Sequence, residues 1–320
     1  MFVSVVIATR NRSVLLARTL RALASQRWPA GQMEIIVADN GSTDETGAIV
    51  EGFSEGVAVR YLLVTTPGKS HAVNAALQIA RGDVIAFTDD DVQPDPEWLN
   101  GLAGAFAETG ADYVAGRILP IWEVPPPAWM SPPLYGVLAI PDNGAERQSI
   151  TADGASQVMP IGANMAVRAA VIARVGGLRT DLGKIDGSLR TGEDHEFFLR
   201  LVHEGYRGTY EPAALVRHLV PASRLSRSYF RRWLFQNGGD VACLERSYPT
   251  GVATLLGVPR YLWRVTLEAA LAAARAAIRG DRAQRFASTL RVIWFAGYLR
   301  ESWFGRAAAH SSVWSLAEGS

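Results

Sequence analysis

The sequence predicts an α/β fold: a mostly parallel sheet flanked by helices, followed by a C-terminal helical region. Three observations carry this. Within the first 115 residues, four apolar runs alternate with segments of helical periodicity. Strands alternating with helices predict a parallel sheet with right-handed crossovers. Polar residues gather where each apolar run ends (Arg10 and Asn11, Asp39, and Asp89 to Asp91), and such sheets collect ligands beyond the carboxyl ends of their strands. From about residue 223 the composition becomes helical, basic and amphipathic.

The first strand is "FVSVVIAT" (2–9), a buried apolar run ending in "RNR". Leu16, Leu20 and Leu23 then recur at helical spacing. "MEIIVAD" (33–39) is the second strand; "DNGSTDET" follows as a turn and helix start, with Ser42 or Thr43 as the cap. "VAVRYLLV" (57–64) is the third strand. "PGKSHAVNAALQIA" (67–80) is a helix with Ser70 near its cap, and "DVIAFT" (83–88) is the fourth strand. Between Pro120 and Pro133 six prolines surround Trp122 and Trp129, which reads as a semi-rigid loop over the site. "PIGANMAVRAAVIARVGGL" (160–178) gives a short strand and a helix ending at Gly176–Gly177. "TGEDHEFFLRLVHEGY" (191–206) is a helix between Gly192 and Gly205, with Phe197, Phe198, Leu201 and Val202 as its buried stripe. "RGTYEP" and "ALVRHLV" read as two short strands near 207–220. Two helical segments follow, 255–279 and 283–305, and the last dozen residues read as a tail. The domain organisation expected from this is 1–222 as a catalytic domain, with halves 1–115 and 116–222, and 223–320 as a helical region.

Composition excludes several classes. A net charge of +1 gives no global field for nucleic acid. Cys243 is the only cysteine, so no disulfide closes within these residues, and a reducing cytoplasm is the expected setting. "MFVSVVIATRNR" is too short and wrongly flanked for a signal peptide, and no run of about 20 uncharged apolar residues reads as a membrane span.

Four constellations can carry chemistry. "FTDDDVQP" (87–94) places three carboxylates at a strand end, where they repel one another and need a positive partner. A D-x-D there can hold a hard divalent cation that bridges a diphosphate, since Mg²⁺ takes one or two carboxylates plus substrate phosphates. Were the strand to persist, Asp89 and Asp91 would share a side and Asp90 would face the other; the bland alternative is a solvated acidic turn. Asp39 in "VADNGSTD" suits a base or ribose contact, and by residue type alone a capping turn is the commoner use of such a stretch. Glu193 and Asp194 stand at a helix N-terminus, where the dipole favours the ionised form that a general base needs, and where acids are enriched in any case. His218 in "VRHLV" is either a core histidine or a ligand.

These blocks, "VSVVIATRNR", "IIVADNGSTDET", "GKSHAVNAAL", "GDVIAFTDDDVQPDPEWL", "GANMAVR" and "GEDHEFFLRL", in this order over roughly 3–240, resemble family 2 glycosyltransferases. The resemblance implies a GT-A fold with a Rossmann-like sheet. It implies an inverting enzyme that uses a nucleotide-diphosphate sugar (UDP-, GDP- or dTDP-linked) with Mg²⁺ or Mn²⁺ and acts on a glycan or lipid-linked acceptor. Thr9, Arg10 and Asn11 would line the nucleotide pocket and Asp39 would bind the base. Lys69 and Asn74 would lie near the donor, and Asp83 would support its strand. Asp89 and Asp90 would face ribose and sugar, and Asp91, with Asp89 and His218, would take the metal. Arg224 would follow toward the phosphates. Asp194 would be the base, with Glu193 beside it. "RRWLFQNGG" (231–239) has the Arg-Arg-Trp of a family Q-x-x-R-W segment without its spacing, which argues against a processive polysaccharide synthase.

Two other enzyme classes and one non-enzyme compete. A nucleotidyltransferase would carry a glycine-rich loop after the first strand, and "TRNRS" has no glycine; a haloacid-dehalogenase-type phosphatase wants Thr where Gln93 stands. A sugar-nucleotide-binding scaffold would bind without turnover. The C-terminal aromatic and basic stripe reads either as a helical cap or as peripheral contact with the inner face of a membrane.

Overall fold

The computed structural model describes residues 1–151, 158–183, 191–249 and 251–305. The tail residues and His310 lie outside them. The described residues group into two compact units, Met1–Trp233 and a second beginning at Leu234.

The first unit opens with β1 (Val3–Thr9), α1 (Ser13–Ala24), β2 (Met33–Asp39), α2 (Thr46–Glu51), β3 (Ala58–Leu63), α3 (Lys69–Ile79) and β4 (Val84–Asp89). It continues with β5 (Val92–Pro94), α4 (Trp98–Thr109), β6 (Tyr113–Trp122), β7 (Gln148–Ile150), β8 (Asn164–Arg168), α5 (Ala169–Val175), α6 (Glu193–His203) and β9 (Gly208–Val220). The sheet order is β3-β2-β1-β4-β8-β6-β9-β5, with β7 also on β9. β1 to β4, β6 and β9 share one direction; β5, β7 and β8 oppose it. β1, β2 and β4 are near-continuous apolar runs buried along almost their whole length, as parallel strands covered on both faces are. Val6, Ile36, Phe87, Met165, Phe197 and Tyr210 belong to one core cluster. Full burial of each such side chain contributes about 1.5–3 kcal/mol.

Register sets the site. Thr9 lies opposite Asp39, and Ala8 opposite Asp89, so three functional strand ends finish at one level. β4 ends at Asp89 and the chain turns through Asp90 and Asp91 into β5, so the acidic run is not a continued strand. β5 then pairs with β9, setting Val92 opposite His218. "GANMAVR" supplies a knot behind the site. The buried Asn164 accepts from Trp98 Nε1 at 2.8 Å and donates to the carbonyls of Arg117 and Ala214, both at 2.8 Å. Gly116 makes room for it, since a Cβ there would stand 2.2 Å from the Asn164 amide nitrogen.

Four local expectations change. The two short strands near 207–220 are one strand, β9, because β6 runs beside both halves; the register slips between Gly116 and Arg117, letting Pro212 to Ala214 bulge out. Pro212 has no N–H to give the ladder, which favours a bulge there. α2 begins at Thr46, not after Ser42 or Thr43, which are engaged with Asp39 and Asn11 instead. α3 starts behind Gly68 at φ +124°, and Ser70 is buried with no partner for its hydroxyl. The helix expected from 255 begins at Arg260.

The proline-rich loop is pinned by aromatic edges: Trp122 meets Tyr135 at 5.7 Å and Trp129 meets Phe230 at 5.1 Å. α7 (Arg227–Ser247) leads from the first unit into the second, which contains a hairpin, β10 (Thr254–Leu255) and β11 (Val258–Pro259), then α8 (Arg260–Ile278) and α9 (Arg282–Phe304). Its core includes Ala242, Val258, Leu262, Phe295 and Tyr298, so part of the aromatic stripe of α9 is internal to this unit. No helix among the described residues is long and apolar enough to cross a membrane.

Candidate active site

A cavity of about 350 Å³ opens at the carboxyl ends of β1 and β4. Of the residues singled out from the sequence, Thr9, Arg10, Lys69, Asp89, Asp90, Asp91, His218 and Arg224 line it. Arg12, Asn40, Gly68 and Ala139 also line it. Ala139, at φ +56° after a 3₁₀ turn, brings the chain beyond the proline-rich loop to the cavity.

The acidic cluster is held by specific cations. Asp90 and Asp91 are buried, 4% and 7% exposed. Arg12 Nη1 donates to Asp90 Oδ1 at 2.7 Å and to Asp91 Oδ2 at 2.9 Å. Thr9 Oγ1 donates to Asp90 Oδ2 at 2.7 Å. His218 Nε2 lies 3.1 Å from Asp91 Oδ1, and Arg224 lies 3.7 Å from Asp91 Oδ2. Burial pushes the Asp91 carboxyl up, but His218, Arg12 and Arg224 outweigh it and hold it well below the usual carboxylate range. Burial and the Asp91 charge push Asp90 up, against the pull of Arg12 and Thr9. Burial works against the charge on Arg12, yet the two aspartates keep it above its ordinary value.

Lys69, the first residue of α3, sits 2.9 Å from Asp89. Burial opposes its charge, and Asp89, Asp194 and Glu193 more than compensate, holding the ammonium well above its usual pKa. Lys69 therefore links the acidic cluster to the N-terminus of α6. There the Gly162 N–H donates to Asp194 Oδ2 at 3.0 Å. Two glycines leave room for the two acids: a Cβ at Gly162 would stand 2.7 Å from the Asp194 carboxylate oxygens, and one at Gly183 would stand 2.8 Å from the Glu193 carboxylate.

Asn11, Asp39 and Asn74 do not line the cavity among the described residues. Asp39 accepts from the Ser42 N–H and from the Tyr61 hydroxyl, each at 2.8 Å. Burial and this contact push the Tyr61 phenol up to about 12, so it stays a donor. Asn11, at φ +53°, donates its N–H to Ser42 Oγ and accepts from the Thr43 N–H, tying the two strand-end loops together. Asn74 is bonded in both directions to the backbone of Leu178. Asp83 accepts from the Phe2 N–H at 2.8 Å.

Asp89, Asp91 and His218 each offer one ligand atom, and these atoms lie within 4.8 Å of one another. Two carboxylate oxygens and an imidazole nitrogen are a donor set that could hold a divalent cation. The Nδ1 of His218 is buried without a partner, which leaves the Nε2 contact with Asp91 as the histidine's polar anchor.

Sequence reading passed over Arg12 and Asn40. Asn40 donates to the carbonyls of Val64 and Thr66 and accepts from the Gly68 N–H, clamping the start of α3 beside β2. The signal for Arg12 was present: three carboxylates need cations, and it is the third residue after Thr9 at the neighbouring strand end.

The sequence model of glycosyl transferase family 2 matches residues 4–171. The chain belongs to this family. Among curated relatives, the pre-mycofactocin glycosyltransferase of Mycobacterium tuberculosis is 29% identical over 259 residues, 79% of this chain and 50% of that protein. This family 2 chain thus spans about half the length of that curated relative. Solved structures share its fold. The mannosyltransferase PcManGT of Pyrobaculum calidifontis, in complex with GDP-Man and Mn²⁺, aligns at TM-score 0.65 and 22% identity over 94% of this chain and 87% of that one. TarS 1-349 of S. aureus, in complex with UDP-GlcNAc, aligns at 0.56 and 18% identity over 92% and 90%. Both carry the mixed sheet and flanking helices expected of the GT-A fold.

Proposed function

We propose that this chain transfers a sugar, with inversion, from a nucleoside-diphosphate donor to an acceptor hydroxyl. The observation that carries the reading is Lys69. Its ammonium lies 2.9 Å from Asp89 and is held charged by Asp89, Asp194 and Glu193 together, so one cation is coupled electrostatically both to the metal-type cluster and to a candidate base. A leaving diphosphate needs positive charge, and the acceptor needs a base near the reacting carbon; Lys69 sits where both demands meet.

Thr9, Arg10 and Asp39 take the nucleotide, with Asp39 oriented by Ser42 and Tyr61. Asn11 and Asn74 act through the loops they tie together. Asp89 and Asp90 face the ribose and sugar. Asp91, Asp89 and His218 would hold Mg²⁺ or Mn²⁺, which when bound supplies positive charge to the departing diphosphate. Asp194 takes the proton of the acceptor hydroxyl. The acceptor oxygen attacks the anomeric carbon from the face opposite the diphosphate, and the bond to the leaving phosphate oxygen breaks. Lys69, Arg12 and Arg224 offset the negative charge released there. Glu193 sustains the charge of Lys69. No covalent sugar–enzyme intermediate forms. The acceptor is a glycan or lipid-linked hydroxyl on the cytoplasmic side, in keeping with the lone Cys243.

Relatives of the same fold bind different nucleotides, GDP in one and UDP in another, so the donor is decided by binding. Asp194→Asn should keep nucleotide binding and lose sugar transfer. Transfer at the normal rate in that variant would remove Asp194 as the base.

A further inference from the structure

The second unit carries an apolar tip that its own core does not use. β10 and β11 pair Leu255 with Val258, leaving Leu256 and Gly257 as a two-residue turn. Both are at positive φ, +53° and +75°. Such turns favour Asn or Asp before Gly, because a leucine with φ > 0 is strained. Here the strained position holds a leucine that is 69% exposed, beside an exposed Leu255. The turn is nonetheless fixed: Trp263 Nε1 donates to the Leu255 carbonyl at 3.2 Å and Trp303 Nε1 to the Leu256 carbonyl at 3.0 Å. Trp303 is itself exposed, and Phe304 beside it is 79% exposed. A leucine and a tryptophan are thus held out to solvent together, with an exposed phenylalanine next in the chain, at a backbone cost that local stability would have avoided.

The surroundings are cationic. Residues 251–305 carry eight arginines against Glu268, Asp281 and Glu301, a net charge of +5. Arg260 reaches back to the Thr254 carbonyl at 3.4 Å, directly beneath the turn. From there the exposed face of α8 runs through Arg264, Leu267, Leu271 and Ile278, steps of three, four and seven that keep one side of the helix. A second copy of this chain would bring the same positive charge against itself.

We propose that this tip docks the protein on an anionic lipid bilayer, with Leu255, Leu256, Trp303 and Phe304 entering the headgroup boundary and the arginines meeting lipid phosphates. Indole and leucine belong at that boundary, and arginine stems can lie along it while their charged heads stay wet. The inference concerns the second unit and stands or falls apart from sugar transfer.

The test is co-sedimentation of the full chain with vesicles of phosphatidylcholine alone and with phosphatidylglycerol added. The wild type should partition onto the anionic vesicles and far less onto the neutral ones. Leu256→Asn is the decisive variant, because asparagine suits the positive φ of the turn. It should keep or raise the melting temperature while weakening partition about tenfold, the effect of one leucine withdrawn from an apolar phase. Phe304→Ser should weaken it similarly. Wild type that ignores anionic vesicles, or both variants binding like wild type, overturns the proposal. So does binding that emerges only after residues 306–320 are removed, which would make that segment the occupant. Self-association abolished by Leu256→Asn without vesicle binding would make a second copy the occupant.

Discussion

Arg12→Met removes a guanidinium and keeps most of the stem. Asp90 and Asp91 lose partners at 2.7 and 2.9 Å. Taking one member from a buried ion pair costs about 3–5 kcal/mol. The Arg12 side chain is 36% exposed, so water screens part of the interaction and about 2–3 kcal/mol is the expected loss. The loss falls mainly on Asp90. Asp91 keeps His218 and Arg224 nearby, whereas Asp90 keeps the Thr9 hydroxyl. Without Arg12, burial and Asp91 raise the folded-state pKa of Asp90 further above its unfolded value. A carboxylate raised in this way destabilises the fold above its unfolded pKa, and that penalty vanishes as pH falls below it. Urea unfolding in EDTA should therefore show Arg12→Met weaker than wild type at pH 7, with the gap closing toward pH 4. Equal stability at pH 7, or a gap that widens on acidification, would show that Arg12 does not hold Asp90 ionised.

Other perturbations have defined outcomes. Gly162→Ala puts a Cβ 2.7 Å from the Asp194 oxygens; displacing that carboxylate by roughly an ångström should lower turnover about 100-fold with nucleotide affinity unchanged, checked by steady-state rates beside titration calorimetry. Asn164→Leu leaves the buried Trp98 indole N–H and two carbonyls short of a partner, for a loss of about 2–4 kcal/mol read from denaturant midpoints. Burial pushes Glu34 up, but bonds from Ser4, Arg81 and Arg60 hold its carboxyl down at about 2. A depressed carboxyl stabilises the fold above its unfolded pKa, near 4.5, and that contribution is lost as pH falls from there toward 2. Up to roughly 3 kcal/mol is at stake, and Glu34→Gln should flatten the acid limb of the stability profile by a comparable amount.

The first half of the fold was legible because its information is local. Apolar runs of strand length ending in polar residues identify β1 to β4, and parallel pairing of such runs brings Asp39, Thr9 and Asp89 to one edge. Glu193 and Asp194 were legible as an acidic helix start, and only the family resemblance singled out Asp194. What the sequence does not display is pairing between distant residues. Nothing local says that β9 runs unbroken past Pro212, since its continuity depends on β6. Nor does the text "DNG" reveal that Asn40 lines the cavity or that Asp39 accepts from the Tyr61 hydroxyl. Arg12 was missed because a lone arginine in a loop has no periodicity; its role follows from Asp90 and Asp91 arriving about 80 residues later. The hairpin at 254–259 interrupts an apolar, helix-like stretch, and only Gly257 and Pro259 hint at it.

In the proposed reaction a divalent cation and a nucleoside diphosphate complete the aspartate cluster. Calorimetric titration of UDP, GDP and dTDP into the protein, first with Mn²⁺ and then with EDTA, tests it most directly. Metal-dependent binding of one nucleotide, lost in Asp91→Ala, is the result expected. Folded protein that binds none of the three, or binds one equally well in EDTA, would contradict it.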